Sequence, residues 1–184
     1  MVTPYSLCLT PSQVKGRQRR LLYEWETLRK GLAGRDDIRL TVTAADSRGI
    51  PTAYQVDYFI KSICGIGSAG RPLFASRFVM RLTIPEDYPE VDAPPVFRFV
   101  RTAEVDQLPW HPNIRYEGEM AGMVCLNRLN TFRDLVWGVE RVADYLRCER
   151  YHAKQEPPYP EDLRVAQWVR QLGEPNGWIY FDQA

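Results

Sequence analysis

Histidine is scarce in this chain, with two residues, His111 and His152, among 184. Two imidazoles are too few for a histidine-rich metal site. The four cysteines, Cys8, Cys64, Cys125 and Cys148, are widely and irregularly spaced. Their pattern matches neither a compact disulfide framework nor the paired spacing of a zinc site. No stretch approaches the roughly 18 uninterrupted apolar residues of a membrane-spanning helix. The first residues, Met1 to Pro11, lack a basic start followed by a long apolar run, so a secretory signal is not expected. An excess of one charge is missing too: 24 Lys and Arg stand against 23 Asp and Glu, a formal net charge of +1. That balance gives no reason to expect nucleic acid or a membrane as a partner. Together these absences point to a reducing, cytoplasmic setting.

What is present is the balance of a globular domain, 45% hydrophobic and 26% charged. The 14 prolines and 12 glycines are spread through aromatic-rich sequence, which argues against bulk disorder. The length suits one domain spanning 1–184, with a core at about 14–150 and a C-terminal helix and tail at 151–184. A first helix is expected over Val14–Gly31, where Leu21, Leu22, Trp25 and Leu28 recur at helical spacing. Lys15, Arg17, Arg19 and Arg20 crowd its start, against the helix dipole. They read equally as a solvated face or as a docking surface. Strands are expected at Ile38–Ala44, Tyr54–Ile60, Phe74–Ile84 and Val96–Val100, with a loose turn at Gly65, Gly67 and Gly70. Four strands with short gaps suggest an antiparallel meander covered by helices, an α+β arrangement. A second helix, Val136–Arg147, carries an apolar stripe through Val139, Val142 and Leu146. After the prolines near 157–160 a shorter helix is expected over Asp162–Leu172, and Gly177–Phe181 suits either a last strand or an apolar strap.

Six prolines fall between Pro85 and Pro112. Proline restrains its own φ and biases the preceding residue toward extended backbone, so this stretch should be ordered though irregular. Ordered irregular backbone often holds a site. Cys125 follows, in a short apolar run after a glycine-bearing turn. By its surroundings alone it reads as a core thiol or as a nucleophile; the second needs a nearby base or positive charge. His111, between Trp110 and Pro112, is its nearest imidazole in sequence and also suits a hydrogen-bonded turn.

From Val14 to Val169 the order of pieces resembles the ubiquitin-conjugating enzymes. A basic amphipathic helix comes first. The meander follows, with Phe78-Val-Met-Arg-Leu-Thr-Ile-Pro-Glu-Asp-Tyr-Pro89 and Pro94-Pro-Val-Phe-Arg-Phe99. The family's His-Pro-Asn signature is similar to His111-Pro112-Asn113, its active-site pair to Cys125-Leu126, and its tryptophan before the next helix to Trp137. The resemblance implies the family fold: an N-terminal helix, a four-stranded antiparallel meander, an active-site loop and C-terminal helices. It implies that Cys125 accepts the C-terminus of ubiquitin or a ubiquitin-like protein from an activating enzyme and passes it to an amine on an acceptor protein. Asn113 would aid the oxyanion or hold the loop, with His111, Pro112, Leu126, Asn127 and Trp137 shaping the site. Adenylation would belong to the activating enzyme, so no cofactor is implied here. Lys15, Arg17, Arg19 and Arg20 would dock that enzyme.

Some positions depart from the family pattern. Cys125 comes 12 positions after Asn113, a longer span than is common. Two geometries are open: a longer hairpin around Tyr116–Ala121 that keeps both ends together, or a displaced Asn113. Asn127 stands where an acidic residue is frequent, so Glu117, Glu119, Asp134 and Asp144 are the candidates for acidic support. Gly138 follows Trp137 where serine-proline is common. These departures resemble the divergent conjugating enzymes of bacterial operons, many of them of antiphage-defence type. The alternatives are an inactive conjugating-enzyme-like module that binds a ubiquitin-like protein, and an unrelated cysteine hydrolase using His111 or His152.

Overall fold

The computed structural model describes residues 2–90, 93–126 and 133–183. In chain order the elements are α1 (Gly16–Gly31), β1 (Ile38–Ala45), β2 (Pro51–Tyr58), β3 (Ser62–Ile66), β4 (Pro72–Ala75), β5 (Phe78–Thr83), β6 (Val96–Val100), α2 (Leu135–Leu146) and α3 (Leu163–Trp168). The fold is mixed α+β. β1, β2, β5 and β6 lie side by side in that order as one antiparallel sheet, and β3 pairs with β4 in a separate hairpin. None of the described helices is long and apolar enough to cross a membrane.

Strand alternation and helix periodicity meet in one core. Leu40, Tyr54, Val56, Tyr58, Met80, Leu82, Phe97 and Phe99 come from the sheet, Leu21, Leu22, Trp25 and Leu28 from α1, and Leu135, Val139 and Val142 from α2. The Tyr58 hydroxyl donates to the Val139 carbonyl at 3.0 Å, tying the sheet to α2. Gly138 permits the close fit of α2 on β6. A Cβ there would come within 2.4 Å of the Phe97 ring. A mid-helix glycine costs about 1 kcal/mol against alanine; here any side chain would collide with packed aromatic atoms.

Two local expectations are corrected. The strand read as 74–84 is divided, because Ser76 and Arg77 interrupt it and its first part turns away to pair with β3. The glycine-rich turn is therefore the tip of a hairpin. Gly70 takes φ +72°, and the Gly67 amide donates to the Arg71 carbonyl at 2.8 Å. The C-terminal helix ends its regular turns at Trp168 and widens through Val169–Gly173. Residues 177–181 make no strand. They form a strap whose Ile179 is buried with Ile63, Cys148, Val165 and Trp168 in a second, smaller core. Trp168 donates its indole N–H to the Gly70 carbonyl at 2.7 Å, and Phe74 meets Phe181 edge-on at 4.9 Å. The tail thus packs on the β3–β4 hairpin.

One carboxylate fastens the first core. Glu24 is fully buried on α1. It pairs with Arg20 at 2.6 Å, accepts the Tyr88 hydroxyl, and accepts the Leu135 amide at 2.7 Å. A buried charge survives only when paired and fully bonded. Glu24 meets that demand by joining α1, the proline-rich loop and the first turn of α2. Glu24→Ala is expected to destabilise the fold by about 3 kcal/mol, because it strands Arg20, the Tyr88 hydroxyl and the Leu135 amide. Glu24→Gln should cost less. Urea unfolding at neutral pH checks both, and an unchanged midpoint for Glu24→Ala would remove the residue from this role.

Candidate functional site

The ordered irregular stretch continues the sheet at its edge. The Val124 amide donates to the Phe97 carbonyl and the Phe99 amide to the Gly122 carbonyl, both at 2.9 Å, so residues 122–124 run alongside β6. Gly122 takes φ +84°, and a Cβ there would lie 2.2 Å from the Phe99 carbonyl oxygen. On the other side Ile114 pairs with Val124, and the Cys125 amide donates to the Asn113 carbonyl at 2.9 Å. The long span between Asn113 and Cys125 is therefore a hairpin whose extra residues sit in the turn around 116–121. Its two ends remain adjacent.

His111, Pro112 and Asn113 are all buried, so their polar groups must find partners inside. The His111 ring accepts the Asn113 amide on Nδ1 at 3.2 Å and donates from Nε2 to the Arg150 carbonyl at 3.0 Å. An amide donor on one nitrogen and a carbonyl acceptor on the other define the neutral Nε2–H tautomer. Burial pushes the ring's pKa down to about 4. The Asn113 side-chain oxygen accepts the His152 amide at 3.0 Å, which orients the side chain and leaves its NH2 as the donating end. The Pro112 carbonyl accepts the amides of Glu161 at 2.8 Å and Asp162 at 3.3 Å. These three residues thus bind the chain from Arg150 to Asp162 to the cysteine loop.

Two tyrosines complete the support, and sequence reasoning missed both. Tyr145 on α2 stacks on His111 with ring centroids 4.8 Å apart and donates its hydroxyl to the Cys125 carbonyl at 3.2 Å. Burial pushes its pKa up to about 12. Tyr116 accepts the His111 amide at 2.7 Å and donates to the Pro109 carbonyl. The available signal was a polar-tipped aromatic on the α2 apolar stripe.

Cys125 is half-buried at the side of an open groove of about 810 Å³. One wall is the hairpin, with Arg115, Tyr116 and Glu117; the other is the C-terminal segment from Pro158 to Arg164. Of the candidate acids, Glu117 lines this groove. Glu119 is exposed at the hairpin tip, where its carbonyl accepts from Arg98. Asp134 caps α2 through the Trp137 amide, and Asp144 pairs with Arg150 at 3.2 Å. Glu161 and Asp162 line the groove as well, and only Asp162 had a signal, as the residue starting a helix. Leu126 packs on the main core, Trp137 carries the Arg141 guanidinium over its ring at 5.2 Å, and Asn127 lies outside the described residues. Among the described residues no cluster of three or more His, Cys, Asp or Glu side chains is arranged to hold a metal ion.

The basic start of α1 divides in two. Lys15 and Arg19 are exposed. Arg17 donates to the Pro85 carbonyl at 3.0 Å, and Arg20 serves Glu24, Tyr88 and the Arg133 carbonyl. Comparison with protein-family models and with curated proteins found no match to the chain.

The buried imidazole gives a pH signature. Unfolded, His111 titrates near 6.5; folded, near 4. Below the first value the unfolded chain takes up a proton that the folded chain refuses, so stability falls as pH drops from 6.5 toward 4 and then levels. Unfolding free energy should be lower at pH 5 than at pH 7 by about 2 kcal/mol from this group. His111→Gln should flatten that difference while lowering stability at pH 7. An undiminished difference in the variant, read by urea titration, would assign the slope to other groups.

Proposed function

We propose that this chain is a ubiquitin-conjugating enzyme in fold and activity, carrying ubiquitin or a ubiquitin-like protein as a thioester on Cys125. The observation that carries the reading is the pairing of Cys125 with Asn113 beside an open groove, with the Asn113 side chain oriented by the His152 amide. The hairpin thereby sets the residue that carries the amide donor directly across from Cys125. The succession of helix, meander, irregular loop and helices agrees with it.

In the first step the Cys125 sulfur attacks the modifier's C-terminal carbonyl, held as a thioester by the activating enzyme. The new C–S bond forms, the old one breaks, and the proton lost by Cys125 ends on the departing sulfur. In the second step an acceptor amine attacks the carbonyl on Cys125. The amide C–N bond forms, the C–S bond to Cys125 breaks, and the proton shed by the amine passes, through solvent or a nearby base, to the departing Cys125 sulfur. Asn113 would donate its NH2 to the oxyanion of the second step, a contribution on the order of 3 kcal/mol. His111, neutral and bonded at both nitrogens, holds the turn and is not the base. ATP is consumed by the activating enzyme. Lys15 and Arg19 would speed encounter with an acidic surface on that partner, whereas Arg17 and Arg20 are engaged in the fold. The span between Asn113 and Cys125, with Asn127 and Gly138, supports a place among the divergent bacterial, defence-type members.

The test is a non-reducing gel shift with an activating enzyme, ubiquitin-like protein and ATP from the same genome. A thiol-sensitive adduct is expected, lost in Cys125→Ala and kept in Cys8→Ser, which removes an exposed cysteine. Asn113→Ala should load normally yet discharge to amines about 100-fold more slowly. Failure of this chain to load from a charged activating enzyme, with binding retained, would instead favour a non-catalytic module for the modifier.

A further inference from the structure

The two walls of the Cys125 groove are joined by side chains of alternating sign. The hairpin wall presents Arg115 and then Glu117; the C-terminal wall presents Glu161 and then Arg164. Arg115 meets Glu161 at 2.6 Å, and Glu117 meets Arg164 at 3.2 Å. All four line the groove with Cys125. The crossed order matters, because sliding one wall along the other would bring like charges together. The pairs therefore define one closed register.

We propose that these crossed pairs are a side-chain gate across the groove that Cys125 lines, parted by the polypeptide C-terminus that the cysteine receives. The identity of that visitor rests on the thioester reading; the gate itself does not. The two pairs differ in how readily they part. Glu117 is 79% exposed and Arg164 63%, so water solvates both when they separate. Arg164 also has a second carboxylate waiting on its own wall, Asp162 at 3.2 Å. When the outer pair opens, Arg164 keeps Asp162 as its partner and the exposed Glu117 is solvated by water. Glu161 is only 16% exposed, and Arg115 is its ion-pair partner, so this inner pair governs entry.

Opening needs rotamer changes only. The Glu161 and Asp162 amides remain on the Pro112 carbonyl, and the Arg115 amide remains on the Met123 carbonyl at 3.0 Å. Both walls thus stay anchored while the side chains between them move. This separates a gate from a general loosening, in which the anchors would also fail.

The test uses the full chain alone and follows alkylation of Cys125, quantified on its own peptide, by small iodoacetamide and by a bulky polymer-linked maleimide. Glu161→Gln is expected to speed the bulky reagent about fivefold and Glu117→Gln about twofold, with iodoacetamide rates and urea midpoints nearly unchanged. The charge-swapped Arg115→Glu/Glu161→Arg chain should return to the wild-type rate. Raising salt from about 0.05 to 0.5 M should speed the bulky reagent on wild type more than on Glu161→Gln. Equal ratios of bulky to small reagent in wild type and Glu161→Gln across that salt range would overturn the gate. So would a lowered midpoint with both reagents accelerated alike. Either result leaves the gel-shift assay standing, and a failed gel shift leaves the alkylation result standing.

Discussion

Burying a polar turn is costly unless its groups are bonded, and from His111 to Asn113 both imidazole nitrogens, the proline carbonyl and the asparagine side-chain oxygen find partners. Its imidazole uses one nitrogen to accept and the other to donate. Its proline carbonyl takes two amides, and its asparagine oxygen takes a third. Because the partners come from residues 150–162, satisfying the turn also pulls the end of the chain, from Arg150 on, against the cysteine loop. The groove follows from this, since one of its walls exists only where that segment is held.

Glu24 solves a similar problem on the opposite end of α2. There a buried carboxylate collects an arginine, a tyrosine hydroxyl and a helix-start amide. The helix is thus fixed at its first turn by Glu24 and near its end by the stacked pair of Tyr145 and His111. Between these points Gly138 lies against Phe97. Tyr145 can reach the Cys125 carbonyl because the helix that carries it is held along its length.

The helices and the main sheet were legible in the sequence because their apolar residues repeat with the period of the element: Leu21, Leu22, Trp25 and Leu28 for α1, and Val139, Val142 and Leu146 for α2. The β3–β4 hairpin was hidden by its glycines, which signal a turn without announcing the short strands on either side. Leu73 and Phe74 look like strand residues of the main sheet, yet both are exposed. In the site, the pairing of Asn113 with Cys125 was not readable from spacing, because the added residues are absorbed by a turn that the sequence does not delimit. The link from Arg115 to Glu161 crosses 46 positions with no periodic signal. Arg20 was misleading for another reason: a cation at a helix start looks available, and only the buried Glu24 beneath it accounts for its position.

The dependence of the turn on residues 150–162 also sets an order of events during synthesis. The cysteine, the asparagine and the histidine leave the ribosome well before the backbone groups that orient them. Until Arg150, His152 and Glu161 have emerged, the imidazole Nε2–H, the Asn113 oxygen and the Pro112 carbonyl have only water as partners. A nascent chain therefore displays its thiol before it owns a site around it. The final segment, docked through Trp168 onto the early-made hairpin, is the part whose arrival turns an exposed cysteine into an assembled one.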